Sequence, residues 1–166
     1  MGTDILTLLH RDHKDLEICL NTLLDRTRSI AQIRSALDGI RLGLTAHAEA
    51  EDIVFSVALA QGHACAGLRD MVEGGAASHR QQERTLAALA VASIGSREWC
   101  SRATTLLGLV REHAAFEERN LLPAIREMAP EVYPKLAGLF ATERLRQLSM
   151  QMPSAPVYIA DLANAS

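Results

Sequence analysis

Apolar residues recur along most of this chain at alternating steps of three and four, the spacing that keeps side chains on one face of an α-helix. From about Asp4 to Thr27 the series is Leu6, Leu9, His13, Leu16, Leu20 and Leu23, with Thr3 as the expected N-cap. From about Ala31 to Gln61 it is Ile33, Leu37, Ile40, Leu44, His47, Glu51, Val54 and Ala58, and Gly62 is the expected stop. A third helix is predicted over about Ala64 to Ser93, with Leu68, Val72, Gly75, His79, Gln82, Leu86 and Leu89 facing inward. A fourth starts after Ser96, a favourable N-cap, and runs to about Met128 through Trp99, Ala103, Leu106, Val110, His113, Glu117, Asn120 and Ala124. Short connections between such helices favour antiparallel neighbours. The expected architecture is all-α: an up-down-up-down four-helix bundle. A short fifth helix from Glu131 to about Met150 completes a single domain over residues 1–150, and an irregular tail marked by Pro153 and Pro156 occupies 151–166.

The second half repeats the first at an offset of 66 residues. His13 corresponds to His79, His47 to His113 and Glu51 to Glu117, and the apolar positions follow, Ile40 to Leu106 and Leu44 to Val110. Two helical hairpins related by a pseudo-two-fold axis would therefore bring all six polar residues to one level of the core. The halves also differ: Leu9 becomes Gly75, Leu16 becomes Gln82 and Val54 becomes Asn120. If the repeat maps faithfully, the side of helices three and four is roomier and more polar.

Composition narrows the class without adding chemistry. Apolar residues make up 48% but aromatics only 4%, which suits close-packed helices better than sheets. The net charge of −3 and the lack of a basic patch give no reason to expect nucleic acid. No uncharged run approaches a membrane span, and the charges of the first apolar stretch exclude a signal peptide. Cys19, Cys65 and Cys100 are odd in number, widely spaced and outside any CxxC pattern, as expected of reduced thiols in a cytoplasmic protein.

Six ionisable or coordinating groups interrupting apolar seams call for a shared explanation. Burying a carboxylate without a partner is costly, and an inward histidine needs partners for its ring nitrogens. A cation supplies both. His47 and Glu51 lie four apart, as do His113 and Glu117, so each pair projects from successive turns of one face. If each glutamate bridges two ions, each ion receives two histidine nitrogens and two carboxylate oxygens. A shared oxo or hydroxo group adds a fifth ligand and leaves one position open. Ligand type alone suits iron, zinc or manganese, and ligand number argues for two ions. The Glu-x-x-His pairs of ferritin-like proteins, the His-Glu-x-x-His of zincins and a supported Ser-His-Asp or Cys-His arrangement are all missing. Glu17 and Glu83 also follow a histidine by four but flank the seam, and His10 and His63 read as boundary or loop residues.

The segments from His47 to Phe55 and from His113 to Pro123 resemble the paired His-x-x-x-Glu motifs of the hemerythrin-like (HHE cation-binding) family. His13 and His79 resemble that family's ligands on the first and third helices, and the likeness covers about residues 4–128. The resemblance implies two non-haem iron ions held by His13, His47, Glu51, His79, His113 and Glu117. It further implies binding of, or reaction with, oxygen, peroxide or nitric oxide. The second histidine that reversible oxygen carriers have on the third helix is missing, since Gly75 and Glu83 stand four residues either side of His79. That departure points to the subgroup with four histidines and two glutamates, associated with redox and nitrosative responses, iron handling and repair of iron centres. A metal-stabilised module that binds a protein partner is the further alternative.

Overall fold

The computed structural model describes residues 4–61 and 66–151. The described residues form helices and no strands: α1 (Ile5–Leu24), α2 (Ile30–Gln61), α3 (Ala66–Ala90) and α4 (Arg97–Phe116). A π-helical turn (Glu117–Leu121) then leads into α5 (Leu122–Met128), and α6 (Tyr133–Gln151) follows. α1, α2, α3 and α4 close a ring in which each packs on its chain neighbours and α1 meets α4, giving the expected bundle. α6 packs chiefly along α2 and also against α1. The expected Thr3 cap, the Gly62 stop and the 152–166 part of the tail lie outside the described residues. Asp4 takes the N-cap position of α1 without a side-chain capping bond; its carboxylate accepts a 2.9 Å bond from Arg126 instead.

Local sequence accounts for the helix ends. Ser96 Oγ accepts the Trp99 N–H at 3.0 Å, so α4 begins where a hydroxyl satisfies a free amide. Gly95, just before it, has φ +79°, a conformation that side-chain-bearing residues adopt at a cost. Pro123 lacks an amide proton, so the regular ladder cannot continue through it. The break is absorbed by the preceding π turn, in which the Leu122 N–H reaches back to the Glu117 carbonyl.

That turn corrects one part of the inward pattern. Asn120 is exposed, whereas Leu121, Leu122 and Ile125 are buried. A π turn carries one extra residue per turn and advances the helix phase by one position. Val54 therefore finds its structural counterpart in Leu121 rather than Asn120, and the expected polar residue is not beside the site. Gln82, by contrast, is buried, donating to Ser78 Oγ at 3.2 Å. At the start of α1, Ile5 takes the fully buried place and Leu6 only a half-buried one.

The interior consists of two apolar clusters. One holds Ile5, Leu9, Val54, Phe55, Leu68, Leu121, Leu122, Ile125, Leu136 and Phe140. The other holds Leu16, Leu20, Ile40, Leu44, Leu86, Leu89, Trp99, Leu106 and Val110, with Trp99 Nε1 donating to the Leu23 carbonyl at 3.1 Å. His13, His47, Glu51, His79, His113 and Glu117 lie buried between them in sequence and in the bundle.

Candidate metal centre

Each bundle helix supplies one histidine; one turn further on, α2 adds Glu51 and the π turn that continues α4 adds Glu117. Glu51 and Glu117 are fully buried. Glu51 Oε1 lies 3.2 Å from His47 Nε2 and 4.0 Å from His13 Nε2. Its other oxygen, Oε2, lies 3.1 Å from His79 Nε2 and 3.4 Å from His113 Nε2. Glu117 divides in the same way, with Oε2 3.4 Å from His13 Nε2 and Oε1 3.3 Å from His113 Nε2. Both carboxylates therefore point one oxygen towards the His13–His47 pair and at least one towards the His79–His113 side. Coordinating atoms of His13, His47, Glu51, His113 and Glu117 all lie within 4.8 Å of one another. His79 Nε2 adjoins them, 2.9 Å from His113 Nε2.

The fit to cations can be tested on hydrogen bonding. His13 Nε2, His47 Nε2, Glu51 Oε1 and both Glu117 oxygens are buried without a hydrogen-bond partner among the described residues. Buried polar atoms seldom remain unpaired, since each costs about 1–3 kcal/mol. Here the unpaired atoms are imidazole nitrogens and carboxylate oxygens converging on one volume, a donor set that transition-metal cations accept. The residues fit such ions.

The electrostatics without a cation show the same tension. Burial depresses His13, but the adjoining Glu117 carboxylate, the charge of Glu51 and the hydrogen bond to Glu118 outweigh it and raise its pKa to about 9. Burial likewise opposes protonation of His79, yet Asp52, Glu51 and Glu117 raise it to about 10. Burial would raise Glu51, but His47, His113 and His79 hold it well below the usual carboxylate range. Glu117 is pushed up by burial and by the charge of Glu51. Two buried carboxylates and protonated histidines share a few ångströms, and a cation would replace those protons.

A second set of carboxylates, which the sequence reasoning did not single out, orients the rings from behind. His13 Nδ1 is 3.0 Å from Glu118 Oε1, His47 Nδ1 is 3.3 Å from Asp12 Oδ2, and His79 Nδ1 is 2.9 Å from Asp52 Oδ1. A proton on Nδ1 directs Nε2 towards the shared volume. Asp52 and Glu118 each follow the motif glutamate and are related by the same offset of 66, so the repeat contained their signal. Arg144 of α6, which hydrogen-bonds Asp12, had no such signal. Phe140 of α6 sets its ring edge-on to His47, with centroids 5.9 Å apart.

The flanking residues stay outside. Glu17 pairs with Arg111 at 2.8 Å and with Lys14 at 3.2 Å, and Glu83 is exposed beside a groove lined by Asp38, Arg41 and Thr45. His10 is exposed and touches Glu118 at 3.2 Å, and His63 lies outside the described residues. Of the inward residues flanking the site, Leu9, Leu16, Leu44, Val54, Phe55, Val110 and Leu121 are buried and Phe116 is half-buried.

No helix among the described residues is long and apolar enough to cross a membrane. No curated protein and no solved structure was found to match the chain. The model of the hemerythrin HHE cation-binding domain matches residues 4–125, most of the chain and every helix that carries one of the six converging residues. With that match and the buried histidine–glutamate cluster together, the chain belongs to the hemerythrin HHE cation-binding domain family.

Proposed function

We propose that His13, His47, Glu51, His79, His113 and Glu117 hold two iron ions and that the protein binds or reacts with oxygen, peroxide or nitric oxide in a redox or nitrosative response. The observation that carries this reading is the division of each carboxylate between two sides of the site. A single cation needs one oxygen from each glutamate, whereas a pair gives every carboxylate oxygen and every Nε2 a partner. On this reading His13 and His47 would hold one ion, His79 and His113 the other, and Glu51 and Glu117 would each serve both, with an oxo or hydroxo group completing the set. Iron with an open position supplies Lewis acidity and electron transfer to a small ligand. The chain's own contribution is to orient the imidazoles through Asp12, Asp52 and Glu118 and to keep the site between two apolar clusters. The free thiols of Cys19 and Cys100 fit a cytoplasmic setting.

The test is metal analysis of natively purified protein, followed by optical spectra under oxygen, peroxide and nitric oxide. About two irons per chain and a spectrum that responds to one of these ligands are expected. One tightly held zinc in protein produced with ample iron would refute the proposal. Iron delivery to a recipient protein, with no response to the small ligands, would instead favour an iron-donor or repair role.

A further inference from the structure

We infer that the two cation positions are unequal, and that the one between His79 and His113 is the exchange position, which gives up and takes a divalent cation ahead of the other. The inference rests on the two-cation reading. It comes from how the four rings are held, which differs sharply between the halves.

At the first position both rings are braced. His13 Nδ1 faces Glu118 and His47 Nδ1 faces Asp12, whose carboxylate side chain is 12% exposed and is itself bound by Arg144. Leu9 is fully buried nearby, and α6 lies along α2 with Phe140 against His47. At the second position only His79 has such a partner, and that carboxylate, Asp52, is 44% exposed. His113 Nδ1 is buried with no hydrogen-bond partner among the described residues.

The offset of 66 shows where the two halves differ. Ser78 stands where Asp12 stands in the first half, and its hydroxyl is engaged by Gln82 at 3.2 Å. Gly75 stands where Leu9 stands, and a cavity of about 260 Å³ lies there, lined by Gly74, Gly75, Ser78, Glu112, His113 and Phe116. An unbraced imidazole can turn away from its ion, and the space beside it lets donor atoms of a small chelator approach. Removing one outer partner of a metal-bound histidine typically weakens binding about 10–100-fold, so the second position should release its ion faster by roughly that factor.

The experiment loads the full chain with iron, verifies two ions per chain, and then follows anaerobic release to an excess of a chromogenic ferrous chelator. Two phases of equal amplitude are expected, separated about 10–100-fold in rate. Ser78→Asp should slow the fast phase, Asp52→Ser should speed only that phase, and Asp12→Ser should speed the slow one. A single phase in the unaltered protein overturns the inference, as does acceleration of the fast phase alone by Asp12→Ser. Fewer than two ions at saturation, read before the chelator is added, would overturn the two-cation reading and this inference with it.

Discussion

Replacing Glu51 by Gln keeps the shape of the side chain and removes its charge, which isolates what the carboxylate contributes. Glu51 is fully buried and faces four imidazole nitrogens at 3.1–4.0 Å. At such separations a pair of unit charges interacts by about 5 kcal/mol with an effective dielectric constant of about 20. Removing one partner of a buried pair typically costs about 3–5 kcal/mol, because the other charge is left uncompensated. Outer-sphere partners alone are worth about 10–100-fold in metal affinity, and a carboxylate contacting both ions should be worth more. Glu17→Gln is the matched control. It also follows a histidine by four residues, but it pairs on the surface with Arg111 and Lys14, and such pairs contribute about 0–1 kcal/mol. The assay is iron content, the visible spectrum and thermal denaturation of both variants purified in parallel. Glu51→Gln should lose metal and spectrum while Glu17→Gln retains both, and Glu117→Gln against Glu83→Gln should repeat the contrast. Metal-replete Glu51→Gln beside metal-free Glu17→Gln would refute the assignment of the inward faces.

Chelation should lower the melting temperature, because the carboxylates and imidazoles lose the cations that offset their burial; an unchanged melting curve after verified removal would count against a core site. The chelated protein should become less stable as pH rises. His13 and His79 have folded pKa values of about 9 and 10 against about 6.5 when unfolded, so their contribution is complete below about 6.5 and disappears through 9–10. Iron loading should follow the opposite trend, favoured as pH rises and protons leave those rings, as titrations of metal uptake at several pH values would register. Trp99→Ala should cost about 3–5 kcal/mol in denaturant unfolding, since it empties a fully buried site in the apolar cluster away from the candidate metal centre. Ser96→Ala, which removes only the cap of α4, should cost about 0.5–2 kcal/mol by the same measurement.

The helices and their inward faces were legible in the sequence because both are set by local periodicity. Steps of three and four placed His13, His47, Glu51, His79, His113 and Glu117 on buried faces, and the offset of 66 put them at one level. The same reasoning separated Glu51 from Glu17, since Leu16 occupies the inward place beside the latter. Phase arithmetic missed by one residue at the start of α1, where Ile5 and not Leu6 is buried, and failed where the helix stopped being regular: the π turn after Phe116 moved Leu121 inward and Asn120 outward, and periodicity assumes 3.6 residues per turn throughout. The orienting carboxylates were half legible, Asp52 and Glu118 being paired by the repeat. Arg144 and Phe140 reach the site from α6, outside the repeat, and no spacing rule connects Arg144 to Asp12, 132 residues away. The bare Nδ1 of His113 is likewise a tertiary fact. Ser78 could be read from the chain as the counterpart of Asp12, but that no side chain among the described residues reaches this nitrogen was decided by the packing.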